Sequence, residues 1–370
     1  MMKRRMVYLL SITAFVTATF LLFNLFNRQS EADEKYVFSY IYNDSGSQHT
    51  EKHIEIVKKA GDTAHTVSPS YFNLNAEGMI ENSAIVDPLF IKAMHEASIK
   101  VIPYLSDQWN ETKAKAAFLN KNQLIPQMLD LIDQYNLDGV QIDIEHVTEE
   151  DREGYINFVK ELRSKLPNQK ELSVAVAANP NGWKEGWHGA YEYAELAKYS
   201  DYLMLMAYDQ HSMSSREPGP VASLPFVEQS IQYALSEGVP PEKILLGIPF
   251  YGRIWSEDGS ISGLDVSLEI AEDLIKKYNG EVSYDHEYES PVAYITISPE
   301  DEWTILEKWK VPLTPGNYTL WYENMNSLKV KLQLVQKYNL KGTGNWSLGQ
   351  ETEQVWNNYK QWLNTLEEKW

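Results

Sequence analysis

Eight short runs of β-branched and aromatic residues, each followed by a longer segment with apolar residues three and four apart, govern what this chain can fold into. The runs are 36–42, 63–70, 100–106, 139–145, 172–178, 202–208, 244–249 and 342–348. Alternation with amphipathic segments such as 124–135, 150–166 and 328–338 predicts parallel strands joined by helical crossovers. Eight such units predict an α/β fold, a closed (β/α)8 TIM barrel. One connection breaks the rhythm: about seventy residues separate Phe250 from the helix near Ser327, where a barrel loop usually takes about 2–6. This stretch holds a helical segment, 268–278, and strand-like pieces at 281–284, 292–297 and 317–321. It predicts a small α+β insertion at about 254–320 on the rim of a single barrel that occupies 33–370.

Residues 1–32 read differently. Lys3, Arg4 and Arg5 precede the uncharged apolar stretch 6–26, which as a helix is about 32 Å long and matches a bilayer. The cationic start predicts a cytoplasmic amino terminus and export of the rest. Ser30 and Ala32 have the small-residue spacing of a signal-peptidase site, so the expectation is an extracytoplasmic protein, held by 6–26 or released after cleavage. With no cysteine in the chain, lipoprotein acylation, disulfides and thiolate metal sites are excluded.

Charge narrows the class further. The chain carries 52 acidic and 33 basic residues, a net charge of −19, opposite to the basic footprint that phosphate backbones require. Setting aside Lys3, Arg4, Arg5, Arg28 and Glu31 leaves the part expected to be exported still more acidic. No phosphate-binding loop, dinucleotide fingerprint or Gly-x-Ser-x-Gly elbow occurs, and the pair His49 and His53 lacks the third ligand and the Glu of a zinc helix. No nucleic acid, cofactor or metal is expected, and the protein is expected to act as a monomer.

The fourth run carries the chemistry. In Asp138-Gly139-Val140-Gln141-Ile142-Asp143-Ile144-Glu145, alternation sends Val140, Ile142 and Ile144 to one face and Gln141, Asp143 and Glu145 to the other. Two carboxylates on the inner face, near the end where barrel sites lie, repel each other in a partly desolvated place. Their coupling is expected to raise one pKa and supply a proton donor near neutral pH.

At these residues the sequence resembles glycoside hydrolase family 18, the chitinase-like family, whose strand-four signature is Asp-Gly-x-Asp-x-Asp-x-Glu. Further matches follow in order. Met206-Ala207-Tyr208-Asp209 is similar to the family's Met-x-Tyr-Asp, and Gly247-Ile248-Pro249-Phe250-Tyr251-Gly252-Arg253 to its strand-seven motif. Trp346 stands where the family has the tryptophan that floors the reacting sugar's subsite. The third-strand motif, usually rich in Ser and Gly, is degenerate, with Ser106 in Tyr104-Leu105-Ser106-Asp107 as its remnant.

The resemblance implies that Glu145 is the general acid, that Asp143 accepts a hydrogen bond from the substrate's acetamido N–H, and that Tyr208 holds the acetamido oxygen. The acetamido group itself then attacks the anomeric carbon, the substrate-assisted exception to two-carboxylate glycoside cleavage. Met206, Asp209, Tyr251, Arg253 and Trp346 are expected to bind substrate. Gln141 departs from the signature's usual Asp; it removes one negative charge beside the pair and is expected to contact the substrate site. Spore-cortex and other peptidoglycan-directed members tend to carry an amide there. Loop aromatics Tyr71, Trp109, Trp183 and Trp187 suit stacking on pyranose rings, and Trp321-Tyr322-Glu323-Asn324 is expected to line the cleft.

The reading is a retaining glycosidase acting on β-1,4 bonds next to N-acetylglucosamine in peptidoglycan. Its alternatives are a chitinase or chitooligosaccharide hydrolase and a non-catalytic carbohydrate-binding protein on the same scaffold; retention of Glu145 favours an enzyme.

Overall fold

A computed structural model describes residues 34–42, 50–81 and 85–365; the apolar stretch 6–26, the boundary at 32 and His49 lie outside them. Among the described residues no helix is long and apolar enough to cross a membrane.

Ten strand pieces form one parallel sheet. The ladder begins at Phe72–Asn73 and Tyr104–Ser106, then runs through Gly139–Asp143, Glu171–Ala177, Tyr202–Met206 and Ile244–Pro249. It continues through Gly342–Trp346 and Tyr36–Ile41 to Thr66–Pro69 and Lys100–Val101. The second and third strand positions each supply two pieces, so the row starts and finishes on the same two strands, a TIM-barrel-like arrangement. Pro69 ends one piece and Pro103 separates two others; neither has an amide hydrogen for the ladder. The second strand therefore resumes beyond 70, where the sequence pattern had placed its end.

Several strands stop short of their expected ends. The ladder releases the chain at Asp143, Ala177, Met206 and Trp346. Val147 N donates to Glu145 O at 3.1 Å and Ala207 N to Leu205 O at 2.8 Å, local turns that free the residues at the mouth from pairing.

Alternation sorts the core into two parts. Val140, Ile142 and Ile144 join Leu124 and Met128 of helix Lys121–Gln134 and Phe158 of helix Arg152–Lys165 in the layer between sheet and helices. Phe38, Tyr40, Tyr104, Tyr202, Met204 and Met206 form a second cluster that fills the sheet's interior. His53, one of the two histidines whose spacing was weighed as a metal pair, is buried on helix Thr50–Lys59, with its ring 6.1 Å from that of Phe90. Its neighbours Glu51, Lys52 and Glu55 do face water.

After Ile244–Pro249 the chain enters a five-stranded antiparallel sheet, ordered Leu264–Ser267, Tyr251–Ser256, Gly316–Trp321, Ser290–Ile297 and Glu281–Asp285. It begins at Tyr251, ahead of the expected 254, so Tyr251 and Arg253 belong to the insertion and not to a barrel strand. Helix Leu268–Lys277 starts at the Ser267 cap, whose Oγ accepts from Ile270 N at 3.1 Å. At the exit, Lys331 on helix Met325–Lys337 donates to Glu323 at 2.8 Å, both fully buried.

Candidate active site

Asp143 is the last paired residue of its strand and lies in register with Ser106; Glu145 follows past the ladder's end. There the backbone would lack partners, and Asp107 supplies them. Its Oδ1 accepts from Glu145 N, and its Oδ2 from His146 N and Asn110 N, each at 3.2 Å. At the opposite end of the motif, Asp138 Oδ2 accepts from Val101 N at 2.8 Å and contacts His95 Nε2 at 2.9 Å, which pins the start of the strand.

Asp143, Glu145, Met206, Tyr208, Asp209, Tyr251, Arg253 and Trp346 line one cavity of about 270 Å3. Tyr208 fits because position 247 is glycine: a Cβ there would stand 2.8 Å from the Tyr208 ring and 2.5 Å from Leu205 O. Trp346 lies against Tyr40, ring centroids 5.0 Å apart, so one face is backed by the interior cluster while the indole stays part-exposed. Asp209 adopts φ 60°, a left-handed conformation that turns its carboxylate toward the insertion. Its Oδ1 accepts from Tyr251 OH at 2.7 Å and from Arg253 Nη2 at 2.5 Å. Arg253 also donates through Nη1 to Gly263 O at 2.7 Å, so it anchors the rim through Asp209 besides facing the cavity.

Burial raises the pKa of Asp143 above the ordinary carboxylate range, and the nearby Asp107 adds to the effect. Glu145 is raised as well, first by burial, then by Asp143, Asp107 and Asp209. Tyr208 is pushed up by burial and by both acids, so its hydroxyl keeps its proton and can donate. The arrangement offers a protonated carboxyl group, a second acid beside it, a phenol donor and an aromatic floor in one cavity. Among the described residues, no group of three His, Cys, Asp or Glu has the arrangement of a metal site.

Other expected contacts fall elsewhere. Gln141 is fully buried below the cavity, and its amide N and O have no hydrogen-bond partner among the described residues. The strand's inward alternation placed it correctly on the inner face, but Asp143 stands between it and the mouth. Ser106 Oγ is used by Gln108 N at 3.0 Å. Tyr71 is buried and unavailable for stacking. Trp321 packs with Trp255 and Val292, while Tyr322 and Glu323 are buried; this segment is in the insertion's core, not on the cavity wall. Trp109 is 63% exposed and does line the cavity. Trp187 lies 6.3 Å from it, and the exposed Trp183 is 4.7 Å from His188.

The sequence reading missed Tyr40, Met213, Asp265, Lys308 and Trp309, which also line the cavity. Lys308 and Trp309 sit between the hairpin strands Thr304–Leu306 and Val311–Leu313, where Lys308 pairs with Asp265 and Trp309 Nε1 donates to Asp265 O at 3.0 Å. A lone Trp between Lys308 and Lys310 was the available signal. For Asp107 it was an acid at the third run's end.

The family model for glycosyl hydrolases family 18 matches residues 28–351. The chain belongs to this family. It is 30% identical over 240 residues to the uncharacterized glycosylase YvbX of Bacillus subtilis, covering 64% of each chain. It is 26% identical to the cortical fragment-lytic enzyme of Bacillus subtilis over 64% of this chain and 52% of that one. The matched part thus spans between about half and two-thirds of these family 18 relatives' own lengths. Among solved structures, the Bacillus cereus spore cortex-lytic enzyme SleL superposes with a TM-score of 0.77 at 19% identity, over 90% of this chain and 75% of that one. A chitinase from Chromobacterium violaceum superposes with a TM-score of 0.75 at 24% identity, over 90% and 99%. Both likenesses concern the fold.

Proposed function

We propose that this family 18 protein is a retaining glycosidase that cleaves β-1,4 bonds next to N-acetylglucosamine in peptidoglycan, with the substrate's acetamido group as internal nucleophile. The observation that carries the reading is the gathering of Asp143, Glu145, Tyr208 and Trp346 around one cavity, with both acids raised by burial. Glu145 donates its proton to the glycosidic oxygen. Asp143 accepts from the acetamido N–H and stabilises the cationic ring that forms when the acetamido oxygen closes on the anomeric carbon. Tyr208 OH donates to that oxygen, and Trp346 supports the pyranose. Glu145 then takes a proton from the incoming water. Holding the nucleophile within the substrate makes the attack intramolecular, which lowers the barrier by pre-paid orientation.

Similarity to a cortical fragment-lytic enzyme and the amide at Gln141 favour peptidoglycan. Likeness in fold to a chitinase over nearly its whole chain supports chitooligosaccharides as the second reading. Product analysis on purified peptidoglycan and chitin fragments, wild type beside Glu145→Gln, tests both. Release of reducing ends from peptidoglycan by wild type alone is the expected result; equal products from the two proteins would overturn the enzyme. De-N-acetylated substrate is expected to bind and stay intact, whereas undiminished cleavage would rule out the acetamido mechanism.

We further propose that residues 6–26 direct the barrel outside the cytoplasm, where it meets the wall. Cell fractionation and sequencing of the mature amino terminus test this; a start at Asp33 means cleavage, an intact segment in the membrane fraction means an anchor, and a soluble cytoplasmic full-length chain refutes export.

A further inference from the structure

Asp107 is 1% exposed, and its three hydrogen bonds come from backbone amides of Glu145, His146 and Asn110. A carboxylate that only accepts suits this ring of donors. The bonds tie two loops together. One carries Glu145; the other turns through Gln108 and Trp109, at φ 54° and 57°, and brings Trp109 to the cavity. Two successive left-handed non-glycine residues persist only where the surroundings hold them.

On the inner side, Gln141 occupies the signature position where an acid is usual, and both its amide atoms and Asp143 Oδ1 have no hydrogen-bond partner among the described residues. The charge missing there is present on the other side of the pair. We propose that Asp107 is a positioning residue of the catalytic pair: its carboxylate fixes the backbone that presents Glu145 and supplies the negative charge facing Asp143 and Glu145 that Gln141 does not. The inference rests on the proposed role of Glu145 as proton donor.

The groups that face this carboxylate are few. Asp143, Glu145 and His146 lie at the end of the same strand. Tyr155, on helix Arg152–Lys165, is buried and feels Asp143, Asp107 and Glu145. On helix Glu111–Leu119, which follows Asp107 in the chain, Lys113 donates to Gln108 Oε1 at 2.5 Å. Asp209 acts on Glu145 from across the cavity, with Arg253 held against it. A negative charge in this setting favours keeping a proton on the neighbouring pair, so its removal must move the pair's titration toward acid.

The test is the pH profile of kcat/KM on the soluble substrate, peptidoglycan fragment or chitooligosaccharide, that wild type turns over. Asp107→Asn is expected to shift the profile toward acid by about one pH unit. Adding Gln141→Asp in that background is expected to return it by a similar amount, a rescue that repair of local packing would not produce. A profile that stays in place in Asp107→Asn, at whatever rate, overturns the proposal. So does a double variant that stays where the single one fell. If Asp107→Asn does not fold, Gln141→Asp alone decides: an alkaline shift supports the proposal and an unmoved profile overturns it. Absence of turnover in wild type on either substrate instead refutes the glycosidase reading, and this inference with it.

Discussion

Arg253 Nη2 stands 2.5 Å from Asp209 Oδ1, and this ion pair joins the insertion's first strand to the loop after the sixth barrel strand. Arg253 is nearly enclosed, whereas Asp209 keeps contact with water, so the pair lies between the fully buried and the exposed case. Arg253→Met is expected to lower unfolding free energy by roughly 2–3 kcal/mol, because it leaves Asp209 without its cation while solvent softens the loss. Denaturant melts with an unchanged m-value measure this. Asp209→Asn is expected to cost less, since the amide oxygen still accepts from Tyr251 and Arg253.

The acid pair trades stability for reactivity. Burial raises Glu145 above its unfolded value, so ionising it costs folding free energy. The sign follows from linkage. Below the unfolded carboxylate range Glu145 is protonated in both states and the cost vanishes; above the raised folded value both states are ionised and the cost is complete. Glu145→Gln removes the titrating group in nearly the same shape. It is expected to abolish turnover while raising the melting temperature relative to wild type at pH about 8, with the gap closing by pH about 4. A gap that is constant across pH would show that the raised pKa is not its origin.

How much of this was legible in the sequence differs from part to part. Periodicity of two along 139–145 sufficed to place Asp143 and Glu145 on the inner face, because a strand leaves no other choice. The same periodicity could not say that pairing stops at Asp143, since release at the mouth depends on a partner, Asp107, from another strand. Arg253 was visible as a residue but not as Asp209's counter-ion, because the turn that carries Tyr251 out of the barrel was hidden inside one apolar run. Trp321 was aromatic and near the insertion's end, but its burial against Trp255 and Val292 is set by antiparallel register, which sequence alone does not fix. Lys308 and Trp309 reach the cavity through the hairpin between Thr304–Leu306 and Val311–Leu313; the Trp between two lysines was a local signal, but its route to the cavity was not.

Tyr208 tests the acetamido mechanism at a single atom. Its hydroxyl is held protonated by burial and by the two acids. In Tyr208→Phe the ring still fills the space beside Gly247, so folding is expected to change by less than about 1 kcal/mol. An interaction that strengthens as the acetamido oxygen attacks is lost mainly from kcat. A fall of about 10²-fold in kcat with KM within about threefold is the expected outcome. A rise in KM alone would make the hydroxyl a ground-state contact.

Trp346 is expected to affect binding more broadly. Its indole rests on Tyr40 at 5.0 Å and approaches Tyr104 at 6.2 Å, so one face belongs to the interior cluster and the remainder serves the cavity. Trp346→Ala removes the floor and also strips a neighbour from two buried tyrosines, which is expected to destabilise the fold by about 3 kcal/mol. Trp346→Phe keeps part of both functions and separates them. Calorimetric titration of an N-acetylglucosamine oligomer in a Glu145→Gln background, where the ligand stays intact, reads binding without turnover. Loss of a stacked ring is expected to weaken binding by about tenfold in Trp346→Phe and by more in Trp346→Ala. Unchanged affinity in Trp346→Ala, with the melting temperature lowered as predicted, would assign Trp346 to the core and leave Trp109, which also lines the cavity, as the aromatic support of the sugar.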